Sequence, residues 1–239
     1  MRPERLCIAF ALACGAAQGA AAPSVHRASP AGASHSKAEL EAAFRAAYGK
    51  ASPVTIGAQN AQMTFTPAGL VDVDPSTGLQ VLVAEGQNKE DCHACAGSLS
   101  LHYLKHTPKG FERTGKSGRD QFNGNGFGSP PQWKVRGDLA ANPVLTVETG
   151  FTGQGYTCAS QALVELTPNG AKVRAESVPV EYDDSGVGRG RVTTLEGHIR
   201  PLVTGRSFEV VFRGTGSMRM VYERRGETYE THSKPPPDC

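Results

Sequence analysis

Apolar residues follow two different rhythms along this chain. Between residues 37 and 48 they recur at Leu40, Ala43, Phe44, Ala47 and Tyr48, the spacing of one helical face. Ser36 followed three residues later by Glu39 is a capping box, and Gly49 supplies a stop. The pattern predicts one amphipathic helix over 37–48 whose Leu40/Phe44/Tyr48 stripe packs on a sheet. After Ser52 the rhythm changes to short alternating runs bounded by turn residues. Leu79–Glu85, Ser98–His106, Leu163–Leu166, Ala171–Val178, Phe208–Arg213 and Ser217–Glu223 read as strands.

Turn chemistry recurs between these runs. Thr-Pro-x-Gly occurs at Thr66–Gly69, Thr107–Gly110 and Thr167–Gly170. Proline presets the first turn dihedral and glycine accepts the positive φ that closes a hairpin, so each copy is expected to be a turn. Asp74–Gly78 and Arg213–Gly216 read the same way. The copies are spaced too irregularly for a repeat array. The fold class expected is mainly β, an antiparallel sandwich or barrel-like domain with one short N-terminal amphipathic helix. Residues 115–131 are glycine-rich and aperiodic, and predict a long loop ending at Trp133, the only tryptophan.

The N-terminus adds a location to this picture. Arg2 and Arg5 precede a short apolar core, Leu6–Ala13, and Gly19-Ala20-Ala21 fits a small-x-small cleavage site. Residues 1–21 therefore read as a secretory signal peptide, too short in its apolar core to span a membrane. No later run is apolar enough to be a transmembrane segment. Residues 22–35 read as a flexible linker, 36–233 as a single β-rich domain, and 234–239, with three prolines, as an extended tail. The expected location is exported, periplasmic or extracellular. With 25 Lys+Arg against 23 Asp+Glu, the charge is too balanced for a nucleic-acid binder.

Export changes how the cysteines are read. Four follow the leader: Cys92, Cys95, Cys158 and Cys239. An even number in an oxidising compartment points to disulfides, with three pairings open. Proximity favours a local Cys92–Cys95 ring, which leaves Cys158 for Cys239 and ties the tail to the sheet. Two sharper readings compete for the first pair. A thioredoxin-like redox site needs a helix after Cys-x-x-Cys to lower the thiol pKa, and a strand follows here. A metal site would add His102 and His106, which share one face of that strand, giving Cys92, Cys95, His102 and His106 a donor set suited to Zn or Cu. The disulfide reading needs no cofactor.

Other motifs match only on paper. Gly110–Ser117 fits the phosphate-loop pattern G-x4-G-K-S, but lacks the preceding buried strand and following helix that hold phosphates, so no nucleotide site is expected. Arg136-Gly137-Asp138 is an adhesion tripeptide without an adhesion context. Glu181–Gly186 and Asp72/Asp74 read as solvated acidic turns rather than calcium loops. No nucleophile elbow or zinc-protease signature is present. Three functions remain open: a non-enzymatic exported protein that binds a ligand or protein partner or shapes the envelope; a metal-handling protein built on the Cys-His cluster; and an enzyme whose site cannot be assembled from sequence.

Overall fold

The computed structural model describes residues 35–57, 62–90, 92, 95–115, 121–124, 126–188 and 190–237. Helix α1 spans Lys37–Tyr48. Its capping box forms as expected: the Glu39 N–H donates to Ser36 Oγ (3.2 Å) and the Ser36 N–H to Glu39 Oε2 (2.7 Å). Gly49 ends it in the left-handed conformation, with φ of 73°. Fourteen strands follow among the described residues: β1 (Val54–Ile56), β2 (Met63–Asp74), β3 (Leu79–Asn88), β4 (Ser98–Thr107), β5 (Gly110–Arg113), β6 (Gln121–Asn123), β7 (Gln132–Arg136), β8 (Val144–Gly153), β9 (Tyr156–Thr167), β10 (Gly170–Asp183), β11 (Thr194–Val203), β12 (Ser207–Gly214), β13 (Ser217–Arg225) and β14 (Thr228–Thr231).

Every pairing is antiparallel. The first sheet runs β1-β2-β3-β4-β5, with β6 also on β4; the second runs β7 to β14 in chain order. The mainly β reading therefore holds, in two sheets, the second curled as a half-barrel. The helix lies at the start of the described residues but begins only at Lys37, not at the chain's N-terminus.

Three apolar clusters explain this architecture. Ala43, Phe44 and Ala47 of α1 pack on Phe65, Leu70, Leu82, Ala84 and Leu104, one face of the first sheet. The other face of that sheet, through Val81, Val83, Leu99, Leu101 and Tyr103, meets Leu145, Val147, Val164 and Leu166 of the second. The opposite face of β8–β13 curls around Leu163, Val178, Ile199, Phe208, Val210, Phe212 and Met220. Strands β3 and β8 are thus covered on both faces. That is why Leu79–Ala84 and Val144–Val147 are buried without alternation.

Two hairpins carry the expected turn chemistry. In both, the threonine hydroxyl donates to the glycine carbonyl (Thr107 to Gly110, 3.0 Å; Thr167 to Gly170, 2.8 Å) and accepts the N–H two residues on. Gly110 and Gly170 have φ of 112° and 121°. The third copy is a correction: Thr66–Gly69 is not a turn but lies inside β2, with a register irregularity between Pro67 and Gly69. A Cβ on Gly69 would sit 2.6 Å from Trp133 Cη2, so the glycine makes room for the indole. Trp133 itself is part of β7, and its indole N–H donates to Glu85 Oε1 across the sheets (2.9 Å). The expected 115–131 loop is interrupted by β6, which pairs with Ser98–Ser100; residues 116–120 and 125 lie outside the described residues.

Candidate functional site

The Cys-His segment is built on the lead-in to β4. Cys92 and Cys95 form a disulfide with their Cα atoms 5.0 Å apart. His102 and His106 project to the helix-covered face farther along the strand. Ser100 Oγ lies 3.0 Å from His102 Nε2, and the Tyr48 ring meets the imidazole edge-on at 4.7 Å. His106 stacks on Phe111 at 4.8 Å. The four residues do not converge. About 13 Å of extended chain separates Ser98 from His102 alone. Instead Glu90 joins the cysteines, its carboxylate and their sulfurs lying within 4.8 Å of one another. His102 is half-buried under Tyr48 rather than exposed beside His106. Burial also pushes the Tyr48 phenol up to about 12.

Cys158, on β9, is disulfide-bonded; Cys239, its expected partner, lies outside the described residues. Pro236 is buried, and Pro235–Pro237 wall a cavity of about 580 Å³ together with Cys158, Phe151, Ser177, Pro179 and Glu181.

Next to this cavity a cleft of about 460 Å³ opens in the second sheet, lined by residues from β7 to β12. It arises because β10 and β11 pair over only three residues, Glu181–Asp183 against Thr194–Glu196, and then diverge. Four carboxylates line it, Glu148, Glu181, Asp183 and Glu196, against the cations Lys134 and Arg213. Glu181 stands directly opposite Glu196 in the register, a like-charge pair that a sheet ordinarily avoids. Partial desolvation in the cleft, then repulsion from Glu148, Asp183 and Glu196, holds the Glu181 carboxyl above the usual glutamate range. Farther along β11, on the face that carries Glu196, buried Glu209 is clamped by Arg200 (3.4 Å) and Arg219. Glu181 and Ala159 line both the cleft and the proline-walled cavity.

No family model matches the chain, and no curated protein or solved structure shows significant similarity to it. The site must be read from its own geometry.

That geometry also places the paper motifs. Arg136 and Asp138 grip each other through two bonds of 2.7 Å, and Arg136 also donates to the Ile199 carbonyl, so the adhesion tripeptide is spent internally. The same contact holds the Asp138 carboxyl below its ordinary range. Asp74 accepts from the hydroxyls of Ser76 (2.6 Å) and Thr77 (2.9 Å) and serves its turn. Gly110–Arg113 of the phosphate-loop pattern is the short strand β5, while Lys116 and Ser117 lie outside the described residues. The cleft residues Glu148 and Glu196 had no signal in the sequence. They acquire meaning only through strand register, and β11 escaped notice because Gly197 and Pro201 interrupt its alternation.

Proposed function

We propose that this is an exported, disulfide-stabilised, non-enzymatic binding protein whose ligand seat is the adjoining cleft and cavity of the second sheet. The observation that carries this reading is the position of Glu181. It stands at the seam between a cavity walled by Phe151, Pro179 and the tail prolines and a cleft holding three further carboxylates. Both volumes fall in the range of roughly 300–1,000 Å³ common for small-molecule sites. A ligand with an apolar body and a cationic head matches the pair: the body lies under the tail, and the head relieves the repulsion between Glu181 and Glu196.

Isothermal titration calorimetry with decyltrimethylammonium tests the reading, using decanoate and tetramethylammonium as controls. One-to-one saturable binding is expected for the long-chain cation, with weaker binding of tetramethylammonium and none of decanoate. Glu181→Gln should weaken binding about tenfold, or 1.4 kcal/mol. Equal binding of decanoate, or full affinity in Glu181→Gln, overturns it. Export is tested separately by the intact mass of the protein recovered outside the cytoplasm, expected to begin at Ala22. Recovery of the uncleaved chain in the cytoplasm refutes it.

A further inference from the structure

The disulfide loop is held by more than its sulfur bond. The Cys95 N–H donates to the Cys92 carbonyl (2.9 Å), the Phe127 N–H to the same carbonyl (3.0 Å), and the Gly128 N–H to the Cys95 carbonyl (2.6 Å). Asn88, at the end of β3, braces both sides of the loop. Its Oδ1 accepts from the Glu90 N–H (3.0 Å) and its Nδ2 donates to the Ala96 carbonyl (3.2 Å). Its own N–H donates to the Gly128 carbonyl (2.9 Å). Gly128 is required there. Its φ is 69°, and a Cβ would lie 2.8 Å from the Asn88 carbonyl oxygen. These hydrogen bonds are made by main-chain atoms and the Asn88 amide, and none of them uses a sulfur.

Glu90 completes a donor set. Its Oε2 lies 3.5 Å from Cys95 Sγ. Glu90 and Cys92 are exposed and Cys95 is half-buried, so an ion can reach the group from solvent. Two thiolates set about 3.7 Å apart bind a tetrahedral ion at the usual Zn–S length of about 2.3 Å. The backbone frame, with the cysteine Cα atoms 5.0 Å apart, demands only a rotation of side chains to reach that spacing.

We propose that the Cys92–Cys95 disulfide masks a metal site: in the reduced protein Cys92, Cys95 and Glu90 bind one thiophilic ion, Zn²⁺ or Cu⁺. The site differs from the Cys-His set because His102 and His106 take no part. The unmasking step is thiol–disulfide exchange with an external dithiol. A dithiol thiolate attacks the exposed Cys92 sulfur, the Cys92–Cys95 bond breaks, and Cys95 leaves with the electron pair and takes a proton. The second dithiol sulfur then resolves the mixed disulfide. The reductant ends as its own disulfide and the protein as two thiols, both of which lose their protons to bind the ion.

The test is Zn²⁺ titration against a chromophoric chelator at pH 7.5, on the oxidised and the phosphine-reduced full chain. The reduced protein should take one equivalent with a dissociation constant below about 1 µM, and the oxidised protein none. Loss of an outer-shell partner alone commonly costs about 10–100-fold. Loss of a direct donor in Glu90→Gln should therefore weaken binding at least about tenfold. A Cys158→Ser/Cys239→Ser double variant and a His102→Asn/His106→Asn double variant should each bind as the reduced parent does. Absence of stoichiometric binding after reduction overturns the proposal. So does equal binding by the oxidised chain, full affinity in Glu90→Gln, or loss of binding in either double variant. The oxidised–reduced comparison uses the parent chain and stands even where a variant fails to fold.

Discussion

Replacing Arg174 with Met should destabilise the second sheet more than an ordinary buried substitution. Arg174 lies in β10 with its side chain 7% exposed, and its Nε donates to Glu165 Oε2 at 2.6 Å; the Glu165 side chain is 5% exposed. The other end of the guanidinium donates to the Glu227 carbonyl (2.9 Å) and to Glu227 Oε2 (2.5 Å), at the turn between β13 and β14. Methionine fills much of the volume, so the packing change is small. What remains is a buried carboxylate without its closest cation. Glu165 keeps the Asn142 amide at 2.7 Å and the distant Arg224 at 4.0 Å. Breaking one side of a buried pair costs about 3–5 kcal/mol, and the surviving neighbours place this case near 3. At a urea dependence of about 2 kcal/mol per molar, the unfolding midpoint should fall by roughly 1.5 M. Circular dichroism in a urea series reads it directly. Removing both charges in Glu165→Leu/Arg174→Met should recover most of the loss, because no buried charge is then left alone. A shift under about 0.3 M for the single variant, or a double variant no better than the single, refutes the reasoning.

Gly69→Ala should cost about 1–3 kcal/mol by driving a methyl into the Trp133 ring; as the only tryptophan, Trp133 should red-shift in fluorescence, and an unchanged spectrum and melting curve would count against the contact. Gly170→Val should cost about 1 kcal/mol or more, since a β-branched residue is strained at φ of 121°; a variant as stable as the parent in urea would mean the hairpin tolerates that strain. Decyltrimethylammonium affinity should be full at neutral pH and decline on acidification, beginning above the usual glutamate range because the Glu181 carboxyl is held there. The apo protein has the opposite sign. A raised carboxyl favours the folded state when protonated, so Glu181 contributes stability at low pH that is lost as pH rises through its folded value. Calorimetry over pH 4–8 showing flat affinity would disprove Glu181 as the cation's partner.

What could be read in advance follows the range of the interactions involved. The capping box at Ser36 and the hairpins at Thr107 and Thr167 depend on a few consecutive residues, and all three form as expected. The identical motif at Thr66 fails because a distant partner, Trp133, decides its conformation. Strand β8 was missed because coverage on both faces removes alternation from Val144–Val147. Strand β11 was missed because Gly197, needed to admit the Phe212 ring, breaks its pattern. The cleft belongs to the same class of information. Glu148, Glu181 and Glu196 are unremarkable surface glutamates until the register sets them around one opening. Glu90 was passed over beside two cysteines for a similar reason, since its approach to Cys95 depends on the Asn88 brace.

The strict chain order of the second sheet has a consequence for how the protein is made. From β7 to β14 each strand pairs with the one just before it. A chain delivered N-terminus first, from a ribosome or through a narrow pore, always has its next partner already outside. Five of the sheet's seven hairpins close loops of two or three residues, the fast kind of β assembly. Only the closing contacts wait: the Glu227 turn must emerge before Arg174 is satisfied, and the proline tail last of all. Synthesis stalled before Glu227 should leave a sheet with its strands zipped and its buried arginine half paired, open to proteases at that seam.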